Sequence, residues 1–421
     1  MNELEQQVLA AIDEPGLLAA LAELVAVRSL DGTPEEVEAQ EVAATIMRRC
    51  GLDVQSWEID LPALYTHPAC SWEVPRQRAI GVVGAIGADR GGRSLIFNGH
   101  LDVVPAGDPA NWQFPPWQAT IADGRVYGRG AVDMKAGVCC AIFAAKAIHD
   151  AGVRLRGRLQ VQTVMGEEDG GLGTLAALVA GHTADAAVVI EPTELRVAPL
   201  QAGAHNFRLT VYGLAAHGCV REEGVSAIEK FAPLHQAILE LERARNERHR
   251  HPLFARYRTP YPICIGTVRA GTWASSEAES LVAEGRFGIA IGEQPMVARQ
   301  ELEAAVARAV AADPWLCAHP PLLEWWGGTF DPAATPSDHP IVSAVAASYG
   351  AVTGAPALLE GMPYGADMRL LVNVGGIPTV LFGPGDVRVS HRPDEYVPIA
   401  DIRACTRTLA LTALRFCGHE A

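Results

Sequence analysis

Leu17, Leu18, Leu21, Leu24 and Val25 recur at helical spacing, so the chain is expected to open on a helix. Thr33-Pro34-Glu35-Glu36 then reads as an N-cap, a proline at the first helical position and a capping-box glutamate. The helix it opens should turn Val37, Val42, Ile46 and Met47 inward and stop at Gly51. Short apolar runs bounded by turns follow: AIGVVGAI, SLIFNGH, LQVQTVMG and AAVVIE. They alternate with helical stretches at 134–151 and 172–180, which predicts the largely buried strands of an α/β sheet.

Around residue 205 the period changes. NFRLTVYG alternates Phe207, Leu209 and Val211, as a sheet with one open face would. A helix with Val225, Ile228, Phe231, Leu234, Ile238 and Leu241 on one stripe comes next. Strands at 262–270 and 280–291, a helix at 296–312 and a strand at 321–326 complete a β-α-β-β-α-β order, the ferredoxin-like arrangement. Residues 204–328 are therefore read as a small α+β domain inserted into a larger α/β one, made of 1–203 and 329–421. The polar run 243–258 is expected to be a flexible loop or a solvated helix end. The later chain should carry a helix at 339–350, the strand PTVLFG and a final helix at 400–416.

Composition narrows the functional classes. With 34 Lys+Arg against 49 Asp+Glu the formal charge is -15, which disfavours a nucleic-acid or anionic-membrane partner. No apolar run approaches the roughly 18 residues a spanning helix needs, and MNELEQQVLA lacks the basic and apolar regions of a secretion signal. The nine cysteines are scattered, without C-x-x-C spacing, and several, as in GVCCAIF, read as small core residues in a reducing compartment. A soluble, cytoplasmic, multi-domain protein is the expectation.

The chemistry sits where the predicted strands end, which is where open α/β sheets place their ligands. GHLDVVP carries His100 and Asp102, and YGRGAVDMKAG carries Asp133 in a Gly-rich turn. GEEDGG carries Glu167 and Glu168, IEPT carries Glu191, and SHRPDEY carries His391. Taken singly, each is ordinary: a lone loop histidine is more often structural, and a Glu-Glu pair is usually surface charge. Their recurrence at successive strand ends is what points to a site. Imidazole and carboxylate without thiolate suit Zn²⁺ and tolerate Co²⁺ or Mn²⁺. Two metals roughly 3.5–4 Å apart need a shared carboxylate and terminal ligands for each.

These motifs, in this order, resemble the zinc-dependent family that includes acetylornithine deacetylase, succinyl-diaminopimelate desuccinylase, aminoacylase and glutamate carboxypeptidase, over nearly the whole chain. The resemblance implies a metallopeptidase-type α/β/α catalytic domain with an inserted ferredoxin-like lid and dimerisation domain. It implies two Zn²⁺ per chain, His100 and Glu191 serving one metal, Glu168 and His391 the other, and Asp133 bridging. Glu167 would be the general base and Asp102 would orient His100. His217, in GLAAHG, would reach across a dimer interface to stabilise an oxyanion; the plainer alternative is a structural loop histidine, which the motif context disfavours. Arg286, in AEGRFGIAIGEQP, falls where the family binds a substrate carboxylate; Glu284 departs from the commoner Asp-x-Arg pattern there. Arg369, in PYGADMRLL, competes for that role, against a plain reading as a surface arginine. The GPGD turn at 383–386 lacks the strand–loop–helix context of a phosphate cradle and is read as aiming the His391 loop.

The expected activity is removal of an N-acyl group from an amino acid or related small amine. Glu191, where much of the family has Asp, favours the deacetylase and desuccinylase branch. A dipeptidase or carboxypeptidase using the same centre is the alternative within the enzyme class. A metal-binding scaffold without catalysis is the alternative outside it.

Overall fold

The computed structural model describes residues 1–420. It divides into two compact units, the larger comprising Met1–Leu200, Ala333–Gly361 and Ala366–Ala421, the smaller Gln201–Pro332 with Met362–Gly365.

The larger unit is built on a mixed nine-stranded sheet, whose path runs Asp53–Glu58, Ile80–Ile86, Leu159–Val164, Leu95–His100, Ala186–Val189, Thr379–Leu381, Val197–Gln201 and Ala333–Ala334. Leu359–Met362 pairs with Val197–Gln201 off that path. The four apolar runs became strands. Leu95–His100 lies parallel to both Leu159–Val164 and Ala186–Val189, so the carboxyl ends of all three point the same way. All six residues of Leu95–His100 are buried, as a central parallel strand demands. Helix Ala136–Asp150 covers one side and packs against the final helix Ile399–Cys417, whose Leu409, Leu411 and Leu414 are buried. Each such side chain contributes about 1.5–3 kcal/mol on leaving water.

Helices form at Glu14–Ala26 and Pro34–Arg49 as the periodicity predicts, but the capping box does not. Thr33 makes no side-chain cap; its hydroxyl donates to the Leu30 carbonyl instead. Glu36 accepts from the Gly32 amide and pairs with the buried Arg76 at 2.8 Å, so tertiary charge pairing overrode the local motif. The sequence pattern also gave no sign of a small antiparallel sheet of Thr120–Ala122, Arg125–Tyr127 and Tyr396–Pro398.

The smaller unit has the sheet order Ile263–Ala270, Ser280–Ile289, Gly203–Tyr212, Leu322–Phe330, antiparallel throughout, with helices Ala227–Arg248 and Pro295–Ala311. This is the ferredoxin-like order. Phe207, Leu209 and Val211, alternating as expected, join Leu234, Ile238, Phe287 and Leu302 in its core. The polar run 243–258 is a correction: it begins inside a helix, and Arg245 and Asn246 are buried. Arg245 donates to Glu293 and Glu301 and to the Gly288 carbonyl. Asn246 ties both backbone groups of Tyr261 at 2.9 Å.

Candidate metal centre

Three strand ends and two loops deliver the polar residues. His100 closes the central strand Leu95–His100; Glu167 and Glu168 follow Leu159–Val164; Glu191 follows Ala186–Val189. Asp133 lies in the turn Ala131–Lys135 at the start of the long helix, and His391 lies in the loop before Tyr396–Pro398. The glycines of the GEEDGG turn matter here. Gly166, Gly170 and Gly171 all have positive φ, letting the chain fold back sharply beside the two glutamates. Gly385, in GPGD, has φ +81°, and a Cβ there would stand 2.4 Å from Val132. That turn therefore packs directly on the segment carrying Asp133.

His100 Nε2 is 3.1 Å from Asp133 Oδ1, 3.7 Å from Glu191 Oε1 and 3.9 Å from Glu167 Oε2. His391 Nε2 is 3.3 Å from Asp133 Oδ2 and 3.1 Å from Glu168 Oε1. Asp133 thus turns one oxygen to each imidazole. Two overlapping sets can each gather their donor atoms around one ion: His100, Asp133 and Glu168, and His100, Glu167 and Glu191. Among the described residues no lysine or arginine forms an ion pair with any of the carboxylates in these two sets.

Burial pushes the Glu167 and Glu191 carboxyls well above the ordinary range, against the pull of His100. Burial opposes charge on His100 too, but Asp102, Asp133, Glu191 and Glu167 outweigh it and raise its pKa. Glu168 and Asp133 raise His391 to about 11. Asp133 resists its own burial because the two imidazoles hold its pKa well below the usual carboxylate value. Glu167 Oε1 is buried and has no hydrogen-bond partner. A cluster of buried acids with an orphaned oxygen, all O and N donors, fits divalent cations of the Zn²⁺, Co²⁺ or Mn²⁺ type.

Asp102 lies beneath His100 and is fully buried. The atom at hydrogen-bond distance from His100 Nδ1 is the Asp102 carbonyl, at 3.0 Å; its carboxylate stands at 3.9 Å and accepts from the Glu168 amide at 2.9 Å. Arg369 is buried, at 5% exposure, so the surface-arginine reading fails. Its Nη2 donates to the Gly170 carbonyl at 2.5 Å, bracing the acidic turn. His217 and Arg286 belong to the smaller unit. His217 is exposed, and its Nδ1 accepts from the Cys219 amide at 3.1 Å. Arg286 donates to the Pro363 carbonyl at 3.0 Å, and burial lowers its pKa.

Two carboxylates escaped the sequence reading. Asp367, in the same PYGADMR run as Arg369, accepts from Thr174 Oγ1 at 2.6 Å, and burial raises it to about 6. Glu395, in SHRPDEY, is fully buried against Arg129 and the backbone of Val132 and Asp133. An acid inside an otherwise apolar stretch was the available signal for Asp367; for Glu395 there was none beyond the motif.

The fold, the donor set and the relatives that share them define a metal-dependent hydrolase of linear amides. Residues 96–415 match the model of Peptidase family M20/M25/M40, and the chain belongs to that family. It is 28% identical to an N-formyl-4-amino-5-aminomethyl-2-methylpyrimidine deformylase of Halalkalibacterium halodurans, over 98% of this chain and 97% of that one. It is 29% identical to an acetylornithine deacetylase of Myxococcus xanthus, over 82% and 85% of the two chains. Human carnosine dipeptidase 1 shares the fold, with a TM-score of 0.75 at 16% identity, covering 98% of this chain and 99% of that one. The α/β/α domain with an inserted α+β domain is thus the architecture of the family. No described helix is long and apolar enough to cross a membrane.

Proposed function

We propose that the protein removes a formyl, acetyl or similar N-acyl group from a small amine, using two Zn²⁺ ions. Asp133 carries the reading: its two oxygens face different imidazoles at 3.1 and 3.3 Å, the disposition a shared ligand requires. His100 and Glu191 would complete one site, Glu168 and His391 the other. When bound, the pair would supply Lewis-acid activation of water and of the amide carbonyl.

The chain's own residues would do the rest. Glu167 takes the proton of the attacking water and delivers it to the departing amine nitrogen. Its buried, unpartnered oxygen supports that role. Asp102 steadies His100 and, through its carboxylate, the amide of Glu168. His217 donates to the carbonyl oxygen as negative charge grows there, from the partner subunit of a homodimer formed by the inserted domain. Arg286, with Arg369 as the weaker choice, would meet a substrate carboxylate where one is present.

The formylated aminopyrimidine and acetylornithine named for the two relatives are the first substrates to try. Metal content should be measured together with hydrolysis of these, of N-formyl, N-acetyl, N-succinyl and N-carbamoyl amino acids, and of dipeptides. Two metals with turnover on one acyl class is the expected result. Turnover confined to dipeptides would replace the deacylase reading by a peptidase one, and no metal with no turnover would leave a non-catalytic protein.

A further inference from the structure

The two halves of the centre are held differently. His100 and Glu191 stand at the ends of adjacent parallel strands, and the strand of His100 is hydrogen-bonded on both sides within the main sheet. Glu168 and His391 stand on turns. His391 has φ +59° and a half-exposed ring, and the chain before it is held by the turn bonds Val389 to Asp386 and Ser390 to Val387, by Arg388 paired with Asp386 and Glu194, and by a bridge between Asp386 and Thr193.

Glu395 is four residues beyond His391 and fully buried. Its Oε1 accepts from the amides of Val132 and Asp133 at 3.0 and 3.3 Å. Its Oε2 accepts from Arg129 Nη1, whose Nη2 donates to the Pro105 carbonyl at 3.2 Å. Its own carbonyl accepts from the Gly128 amide at 3.0 Å, where Tyr396 begins pairing with Tyr127. A single side chain therefore joins the loop of His391 to the backbone of the residue that His391 faces. We propose that Glu395 is a positioning residue that sets the separation of His391 and Asp133, and so fixes the Glu168–His391 half of the metal centre. The inference rests on the two-metal reading.

The test is stepwise titration of the metal-free protein with Co²⁺, followed by visible absorption and by competition with a chelator. The wild type should take up two equivalents. In Glu395→Gln, which keeps the volume, the amide oxygen can serve Val132 and Asp133 while the new NH2 opposes Arg129. The second equivalent should bind about 10-fold more weakly, with the first changed much less; Glu395→Ala should extend the loss toward about 100-fold, the range of such outer contacts. A merely structural residue would lower the melting temperature of the metal-free protein and leave both Co²⁺ affinities alone. That result, or equal weakening of both equivalents, overturns the proposal. If Glu395→Ala fails to fold, Glu395→Gln decides alone. Fewer than two equivalents in the wild type would refute the two-metal reading itself, and this inference with it.

Discussion

The two units bury charge in opposite ways. In the smaller, Arg245 lies fully buried with Glu293 and Glu301 at 2.6 Å, and positive meets negative inside the fold. In the larger, Asp133, Glu167 and Glu191 surround His100 with no lysine or arginine paired to them among the described residues. Yet the larger unit can also pair buried acids with a cation: Arg76 meets Asp31, Glu36 and Asp169 at 3.0, 2.8 and 2.9 Å. The difference therefore reflects purpose rather than domain. Acids paired with a buried arginine hold architecture together; acids gathered with no lysine or arginine beside them mark the place for a cation.

The comparison breaks most visibly at Glu167. Glu167→Ala should lower kcat by about 10²–10⁴-fold, the range for a lost general acid–base. Metal content by plasma mass spectrometry should stay unchanged. Loss of a metal instead would make Glu167 a ligand, as its place beside His100 and Glu191 permits. In the paired cluster, Arg245→Met should strand Glu293, leaving Glu301 to Arg248, and destabilise the protein by about 3–5 kcal/mol in urea unfolding. Bound metal at saturation should not change. An unaltered midpoint would mean that this pairing is dispensable.

His217→Ala should reduce kcat by about 10²-fold with metal and melting temperature intact, as for a lost oxyanion donor. A fully active variant, or a fully active monomer in a sedimentation-checked assay, would remove His217 from the mechanism. The smallest effect is the response to acid. Glu167 and Glu191 have folded pKa values above their unfolded ones, so in metal-free protein their contribution is complete below about pH 4 and lost as pH rises. Glu301, although burial opposes it, is held low by Arg248 and Arg245, so its contribution is present above about pH 4.5 and lost as pH falls further. Hydrogen exchange, corrected for intrinsic rates, should show the metal centre loosening as pH is raised from 4 to 7. The Arg245 region should hold steady over that range. Parallel behaviour of both regions would contradict the contrast.

Much of this was legible along the chain. Apolar runs six to eight residues long became the central strands, and the ferredoxin-like order followed from a change of period near residue 205. The residues singled out at strand ends, His100, Glu167 and Glu191, do converge, because parallel strands deliver their carboxyl ends to one edge. The misreadings share a cause. Glu36 looked like a cap and Arg245 like a solvated charge because their partners, Arg76 and Glu293, lie 40 and 48 positions away. The surface alternative for Arg369 fails for the same reason, its acceptor Gly170 being 199 positions distant.

Sequence by itself determined which segments could be strands and helices, since periodicity is set by neighbours two to four residues apart. It also determined the kinds of donor available. Only the tertiary structure decided which oxygen of Asp133 faces which imidazole, that the carbonyl of Asp102 reaches His100, and that Glu395 grips the backbone of Asp133 from 262 positions away. Those contacts depend on chain closures whose geometry no local pattern encodes, because burying a charge depends on whatever partner the whole fold brings to it.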